Sequence, residues 1–180
     1  MKRRVTHQPT NGRGFTMVET VLASLLVSTV LISTLSLVGP VMRTTEHAER
    51  EIIAQRLADE LINEIAAQAF VEPSAGESED LIGPNSGERT TTRADFDDVD
   101  DYAGWMGFPP KEKSGSTKSG LLRWARQVKV EHVLASDLET VSPTGTGVKR
   151  ITVQVVHNGT LLAEESIIRT YAWDEMRSSK

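Results

Sequence analysis

Two groups of residues in this 180-residue chain have the types and spacing to do chemistry. Glu19 is the only acid before Glu46, and it stands at the head of a long uncharged stretch. The run Asp95-Phe96-Asp97-Asp98-Val99-Asp100-Asp101 puts five aspartates into seven residues. Carboxylates at that density offer hard oxygen ligands, which suit calcium. No bidentate glutamate follows at the distance an EF-hand loop requires. The same run also reads as a solvated acidic turn pinned by Phe96, Tyr102, Trp105 and Phe108, with those aromatics packed against a sheet. Other patterns carry less. His7, His47, His132 and His157 form no HExxH and no metal-spaced pair. Gly145-Thr146-Gly147-Val148-Lys149 lacks the spacing of a phosphate loop and the hydroxyl residue after its lysine. There is no G-x-S-x-G turn, and the absence of cysteine excludes a disulfide scaffold, a thiolate metal site and a cysteine nucleophile. The chain therefore reads as a protein that is not an enzyme.

The surroundings of Glu19 give it meaning. Residues 1–14 carry Lys2, Arg3, Arg4 and Arg13 with no acid, and residues 20–42 carry no charge at all. As a helix, the 19 residues from Thr20 to Val38 reach about 28 Å, near the hydrocarbon thickness of a bilayer. From Arg43 onward there are 16 bases and 24 acids. A basic start, an apolar run and an acidic remainder place the short end in the cytoplasm and the bulk across the membrane. Three readings compete. A removed signal peptide needs a shorter apolar core and an A-x-A-like site, which Gly39-Pro40-Val41-Met42-Arg43 does not supply. A buried helix of a soluble core rarely stays uncharged for so long. A plain signal anchor fits the length but leaves Glu19 unexplained. A carboxylate at the edge of a span costs on the order of a few kcal/mol unless it is paired or interfacial.

Gly14-Phe15-Thr16-Met17-Val18-Glu19, after a short basic leader and before an apolar helix, resembles the prepilin cleavage and methylation motif. That motif marks type IV pilins and the pseudopilins of type II secretion systems, and the resemblance covers residues 1 to about 40. It implies a bacterial inner-membrane protein with its N-terminus cytoplasmic and its C-terminal domain periplasmic. It implies that a prepilin peptidase cuts between Gly14 and Phe15 and methylates the new Phe15 amine. It implies that Glu19 pairs with the N-terminal amine of a neighbouring subunit in a filament. The partners are then the peptidase, other pilin or pseudopilin subunits, an inner-membrane assembly platform and lipid. Some pseudopilins hold calcium in a loop near the sheet. Where major pilins carry a proline in this helix the chain has Ser36, and the first proline of the apolar region is Pro40. The departure points to a minor pilin or pseudopilin. Pilus, secretion pseudopilus and DNA-uptake fibre remain equally open. The alternative is a signal-anchored periplasmic binding module that does not polymerise.

The elements that must position these residues follow from periodicity. The expected fold is α+β and pilin-like, a long N-terminal helix packed on a C-terminal antiparallel sheet. The expected divisions are a basic leader 1–14, a transmembrane helix 15–42, an amphipathic stem 43–70, an acidic loop region 71–121 and a sheet 122–175. One helix from Phe15 to about Phe70 is expected, bent at Gly39-Pro40. Its stem carries a stripe of Ile53, Leu57, Leu61 and Ile65, with Ile52, Ala58, Ile62, Ala66 and Ala69 beside it. The loop region holds seven of the 13 glycines, four of the seven prolines and 11 acids, so little regular structure is expected there. Strands are read over 122–133, 148–157 and 161–173. Trp124, Val128 and Val130 form one inward parity, Ile151, Val153 and Val155 a second, and Leu161, Ala163, Ile167, Tyr171 and Trp173 a third. Asn158-Gly159 marks a type I′ hairpin turn between the last two, which also accounts for the Asn158-Gly159-Thr160 sequon without a sugar. The net charge of −5 disfavours a nucleic-acid binder with a basic surface.

Overall fold

The computed structural model describes residues 14–73, 81–85, 88 and 92–178. The leader residues 1–13, and with them His7, lie outside the described residues, as do parts of the loop region. The chain divides into two compact units, Met1–His47 and Ala48–Lys180. One helix assignment, Met17–Ala66 (α1), runs from the first unit into the second and continues through Gly39-Pro40.

In the first unit the helix is apolar and unburied. Met17–Ser36 is 20 residues long and apolar enough to cross a membrane, and none of it is buried. Leu22, Leu26 and Leu35 are 56%, 63% and 72% exposed. A core helix of a soluble protein would bury these side chains. Its hydroxyls stay within the helix. Ser24, Ser28, Ser33 and Thr34 each donate to a carbonyl three or four residues back, so each polar side chain is satisfied without an outside partner.

In the second unit the stem half of α1 packs on an antiparallel sheet, giving an α+β arrangement. The strands are Met106–Gly107 (β1), Trp124–Leu134 (β2), Asp137–Val141 (β3), Val148–His157 (β4) and Thr160–Thr170 (β5). Their order is β1-β2-β4-β5, with β3 paired to the end of β2. The expected parities of β2 and β4 hold: Trp124, Val128, Val130, Ile151, Val153 and Val155 are all buried against Leu57, Leu61 and Ile65. The buried stripe of the stem runs through Ala54, Leu57, Ala58, Leu61, Ile62 and Ile65. Ile52 and Ile53 precede it and are exposed, because the sheet covers the helix only from Ala54 onward. The β4–β5 hairpin turns at Asn158 (φ 51°) and Gly159 (φ 81°), two left-handed residues in succession, as a type I′ turn requires.

Several boundaries differ from expectation. The helix ends at Ala66 rather than Phe70, and Ala69 then bridges to Asp98. The last strand ends at Thr170, and Tyr171–Ser178 forms a second helix (α2). Thr170 faces Val148, the first residue of β4, so the returning strand has no further partner. Tyr171 N–H donates to the Gly147 carbonyl at 3.0 Å and the chain coils. Tyr171 and Trp173 therefore leave the strand parity and are exposed, and Leu161 at the hairpin end is 49% exposed. β3 falls between the strands read over 122–133 and 148–157, where no strand is expected; all five of its residues are exposed, so no burial pattern announces it. The loop region is not peripheral. Phe96, Val99, Tyr102 and Trp105 are buried in the same core as the stem, and a short 3-10 turn occupies Asp100–Tyr102. Phe108, expected to pin the acidic turn, is 65% exposed.

Candidate functional site

The N-terminal site begins at the helix start. Gly14 and Phe15 precede the helix, and Thr16 caps it. Glu19 N–H donates to the Thr16 carbonyl at 3.0 Å and to Thr16 Oγ1 at 3.3 Å, so one orphan amide of the first turn is satisfied by a side chain. Thr16-Met17-Val18-Glu19 has the spacing of a capping box, a signal the residue types display but that sequence reasoning passed over. Glu19 is the one acid in the first turn, where the helix dipole favours negative charge. Gly14, Phe15 and Glu19 thus lie within six residues at one exposed helix end. A Cβ on Gly14 would meet nothing within 4 Å, so the free chain itself does not demand glycine there.

The second site is acidic and sits just beyond the other end of the stem. Ala69 N–H and carbonyl pair with Asp97 and Val99, which draws the aspartate run against the chain leaving α1. Asp98 Oδ1 accepts from the Asp100 and Asp101 amides at 2.6 and 3.1 Å. Asp101 Oδ2 accepts from the Asp97 and Asp98 amides at 2.9 and 3.1 Å. Each aspartate therefore spends one oxygen on the turn. Asp101 is fully buried, and its remaining Oδ1 has no hydrogen-bond partner among the described residues. Oxygens of Asp97, Asp98 and Asp101 lie within 4.8 Å of one another, as do oxygens of Glu72, Glu88 and Asp97. Burial first, then the side chain of Asp101 close enough to share the Glu88 proton, pushes Glu88 up to about 7, although no Glu88–Asp101 hydrogen bond meets the distance and angle of the others. Burial and the charges of Asp101 and Asp100 do the same to Asp98, also to about 7. Asp97 is raised as well, by burial first and then by Glu72 and Asp101. Asp95 is exposed and stands outside both groups. Asp100 is diverted to Lys149. Glu72 and Glu88 belong to the cluster although sequence reasoning missed them. They lie 23 and seven residues before Asp95, and only the fold brings them in.

Around this site the sheet supplies buried bases. Lys149 Nζ is fully buried and donates at 2.6 Å to Asp100 Oδ2 and at 2.6 Å to the Phe70 carbonyl, 4.2 Å from the Phe70 ring centroid. Arg169 donates to the Ala66 and Gln68 carbonyls, and Arg126 reaches the Leu57 and Lys111 carbonyls. The last turn of α1 holds no base of its own, and Arg169 supplies the donor to its final carbonyl, that of Ala66. Arg93 forks onto Glu64 at 2.8 and 3.0 Å and stacks 4.1 Å from the Trp105 ring centroid. Burial raises the Glu64 pKa, but the Arg93 fork and the Tyr102 hydroxyl more than offset it and the net shift is downward. Because Lys149 is committed in the core, the Gly145–Lys149 segment has no lysine to offer a phosphate. His132 is buried with neither ring nitrogen hydrogen-bonded, and His157 stacks on Trp124 at 4.5 Å between centroids. Comparison with known proteins finds no matching family model, no matching curated protein and no matching solved structure.

Proposed function

We propose that this chain is a structural filament subunit, a minor pilin or pseudopilin of a type IV pilus-like or type II secretion assembly. In this reading a prepilin peptidase removes residues 1–14 in the bacterial inner membrane and methylates Phe15. The apolar helix holds the subunit there, N-terminus cytoplasmic and sheet unit periplasmic, until an assembly platform moves it into the filament among other subunits. The observation that carries the reading is an unburied apolar helix of 20 residues that starts directly after Gly14-Phe15-Thr16 with Glu19 in its first turn. Such a helix needs apolar surroundings. Lipid supplies them first and neighbouring helices later.

The test is the intact mass of the protein coexpressed with a prepilin peptidase. The expected product lacks Met1–Gly14 and carries one added methyl group. A chain that keeps Met1 would instead support a signal-anchored module that does not polymerise.

We also propose that the acidic cluster holds calcium. Asp97, Asp98 and Asp101 would be its ligands, with Glu72 and Glu88 gathered on the far side of Asp97, and the Asp101 Oδ1 left without a hydrogen bond among the described residues is the observation in its favour. Gathered carboxylates repel one another, and a hard divalent cation relieves that repulsion. Calcium at 100 times its Kd should raise stability by about 2.7 kcal/mol. Thermal unfolding in calcium against chelator measures this, and Asp101→Asn should remove most of the difference. An unfolding midpoint that ignores calcium in the unaltered protein would rule the site out.

A further inference from the structure

The hairpin end of the sheet carries a surface that neither the core nor the acidic cluster uses. Met106, Phe108, Arg123, Ala125 and Val156 line a notch of about 520 Å³ beside the Asn158-Gly159 turn. Met106 and Phe108 are each 65% exposed. Leu122, next to Arg123 in the chain, and Leu161, paired with Val156, add exposed apolar bulk. Contiguous apolar surface of this kind marks a contact site.

One cation borders the notch. Arg123 is exposed, and its guanidinium has no hydrogen bond or ion pair among the described residues. His157, at the same hairpin end, has its pKa lowered by burial first and then by the charges of Arg50 and Arg123. The contacts of the stem run in order from there. Gln55 meets Glu165, Leu57 meets Arg126 and Ala66 meets Arg169. The notch is thus at the end of the unit where the stem begins, and the acidic cluster is past the other end.

The length of chain points to which surface it meets. Within α1, residues 37–47 separate the apolar stretch Met17–Ser36 from the start of the second unit at Ala48. The intervening residues reach at most about 40 Å even when fully extended. A unit tethered so closely to a membrane span stays within reach of headgroups. Aromatic and thioether side chains beside an arginine are what an interfacial lipid contact uses. We propose that the Met106–Phe108–Arg123 notch is a lipid-contact site. Phe108 and Met106 enter the boundary between headgroups and acyl chains, and Arg123 meets the phosphate of anionic lipid. This rests on the reading of Met17–Ser36 as a membrane span.

The chain has no cysteine, so Leu122→Cys gives a single thiol beside the notch for an environment-sensitive fluorophore. The full-length protein is reconstituted in vesicles of phosphatidylethanolamine and phosphatidylglycerol containing nitroxide-labelled lipid. Quenching at position 122 should exceed, several-fold, that at Leu138→Cys on β3 at the opposite end of the sheet. Leu25→Cys, inside the apolar helix, should be strongly quenched. A dark-to-bright failure there would remove the span reading itself. With position 25 quenched, equal quenching at 122 and 138 overturns the lipid-contact site alone. Arg123→Glu and Phe108→Ser should each bring position 122 down to the level of 138 while position 25 stays quenched. Shielding of position 122 that grows with protein concentration, without lipid quenching, would assign the notch to a second copy and would also overturn the proposal.

Discussion

Lys149→Met should lower the stability of the full-length protein by about 3–5 kcal/mol, because it removes one partner of a buried ion pair. Methionine keeps most of the stem against Phe70 but leaves Asp100 buried with neither oxygen paired, since its Oδ1 already lacks a partner. It also strips the Phe70 carbonyl of its donor. Burial already raises the Asp100 pKa with Lys149 in place, so the carboxylate has little alternative solvation to fall back on. A loss of that size should reduce the thermal midpoint by roughly 10–20 °C for a unit of this length. Urea unfolding in detergent micelles measures it, with unchanged slope. Asp100→Asn in the Lys149→Met background should recover part of the loss, because it removes the uncompensated charge rather than the donor. A change under about 1 kcal/mol, the size of a surface ion pair, would show that water reaches this pair.

Glu19→Ala should leave membrane insertion intact and cut incorporation into filaments by roughly 100-fold or more, the equivalent of the 3–5 kcal/mol that an uncompensated buried charge costs. Under the proposed function, the methylated Phe15 amine of one subunit enters apolar surroundings and Glu19 of its neighbour is what neutralises it. The structure offers a milder role for the same residue, since Glu19 occupies the third position of a Thr16-capped helix. Losing a cap interaction costs only about 0.5–2 kcal/mol. Glu19→Gln separates the two roles. Glutamine serves in a capping box as glutamate does, but it carries no charge to meet an amine. Filament incorporation, read from sheared filaments against the membrane fraction, should therefore fail for Gln as it does for Ala. Wild-type incorporation of the Gln variant would reduce Glu19 to a helix cap.

Much of the fold is legible in the chain because burial imposes a period. Alternation through Trp124, Val128 and Val130 and through Ile151, Val153 and Val155 identifies β2 and β4 and their inward faces, since a strand turns successive side chains to opposite sides. The same alternation over-extends β5, because nothing local tells Tyr171 that its partner strand began only at Val148. β3 is invisible for the converse reason: a strand exposed along its whole length has no face to mark it. The buried bases left a faint signal. Arg126, Lys149 and Arg169 occupy the apolar parity of their strands, and the last turn of α1 has no base. A charge on the inward side of a strand requires a partner, and helix carbonyls without a local cation require one too.

Local order, then, decides what a segment is. The uncharged run after Glu19, the spacing Gly14-Phe15-Thr16-Met17-Val18-Glu19, the stem stripe and the Asn158-Gly159 turn are all set by neighbours in the chain, since hydropathy period and turn conformation act over a few residues. Tertiary structure alone decided which residues meet across long loops. It turned Asp100 toward Lys149 and gathered Glu72 and Glu88 onto Asp97. It also set Arg93 on Glu64 and buried the aspartate turn against the stem. Those encounters depend on loop closure and on the packing of a sheet against a helix, and no short-range rule of the chain encodes either.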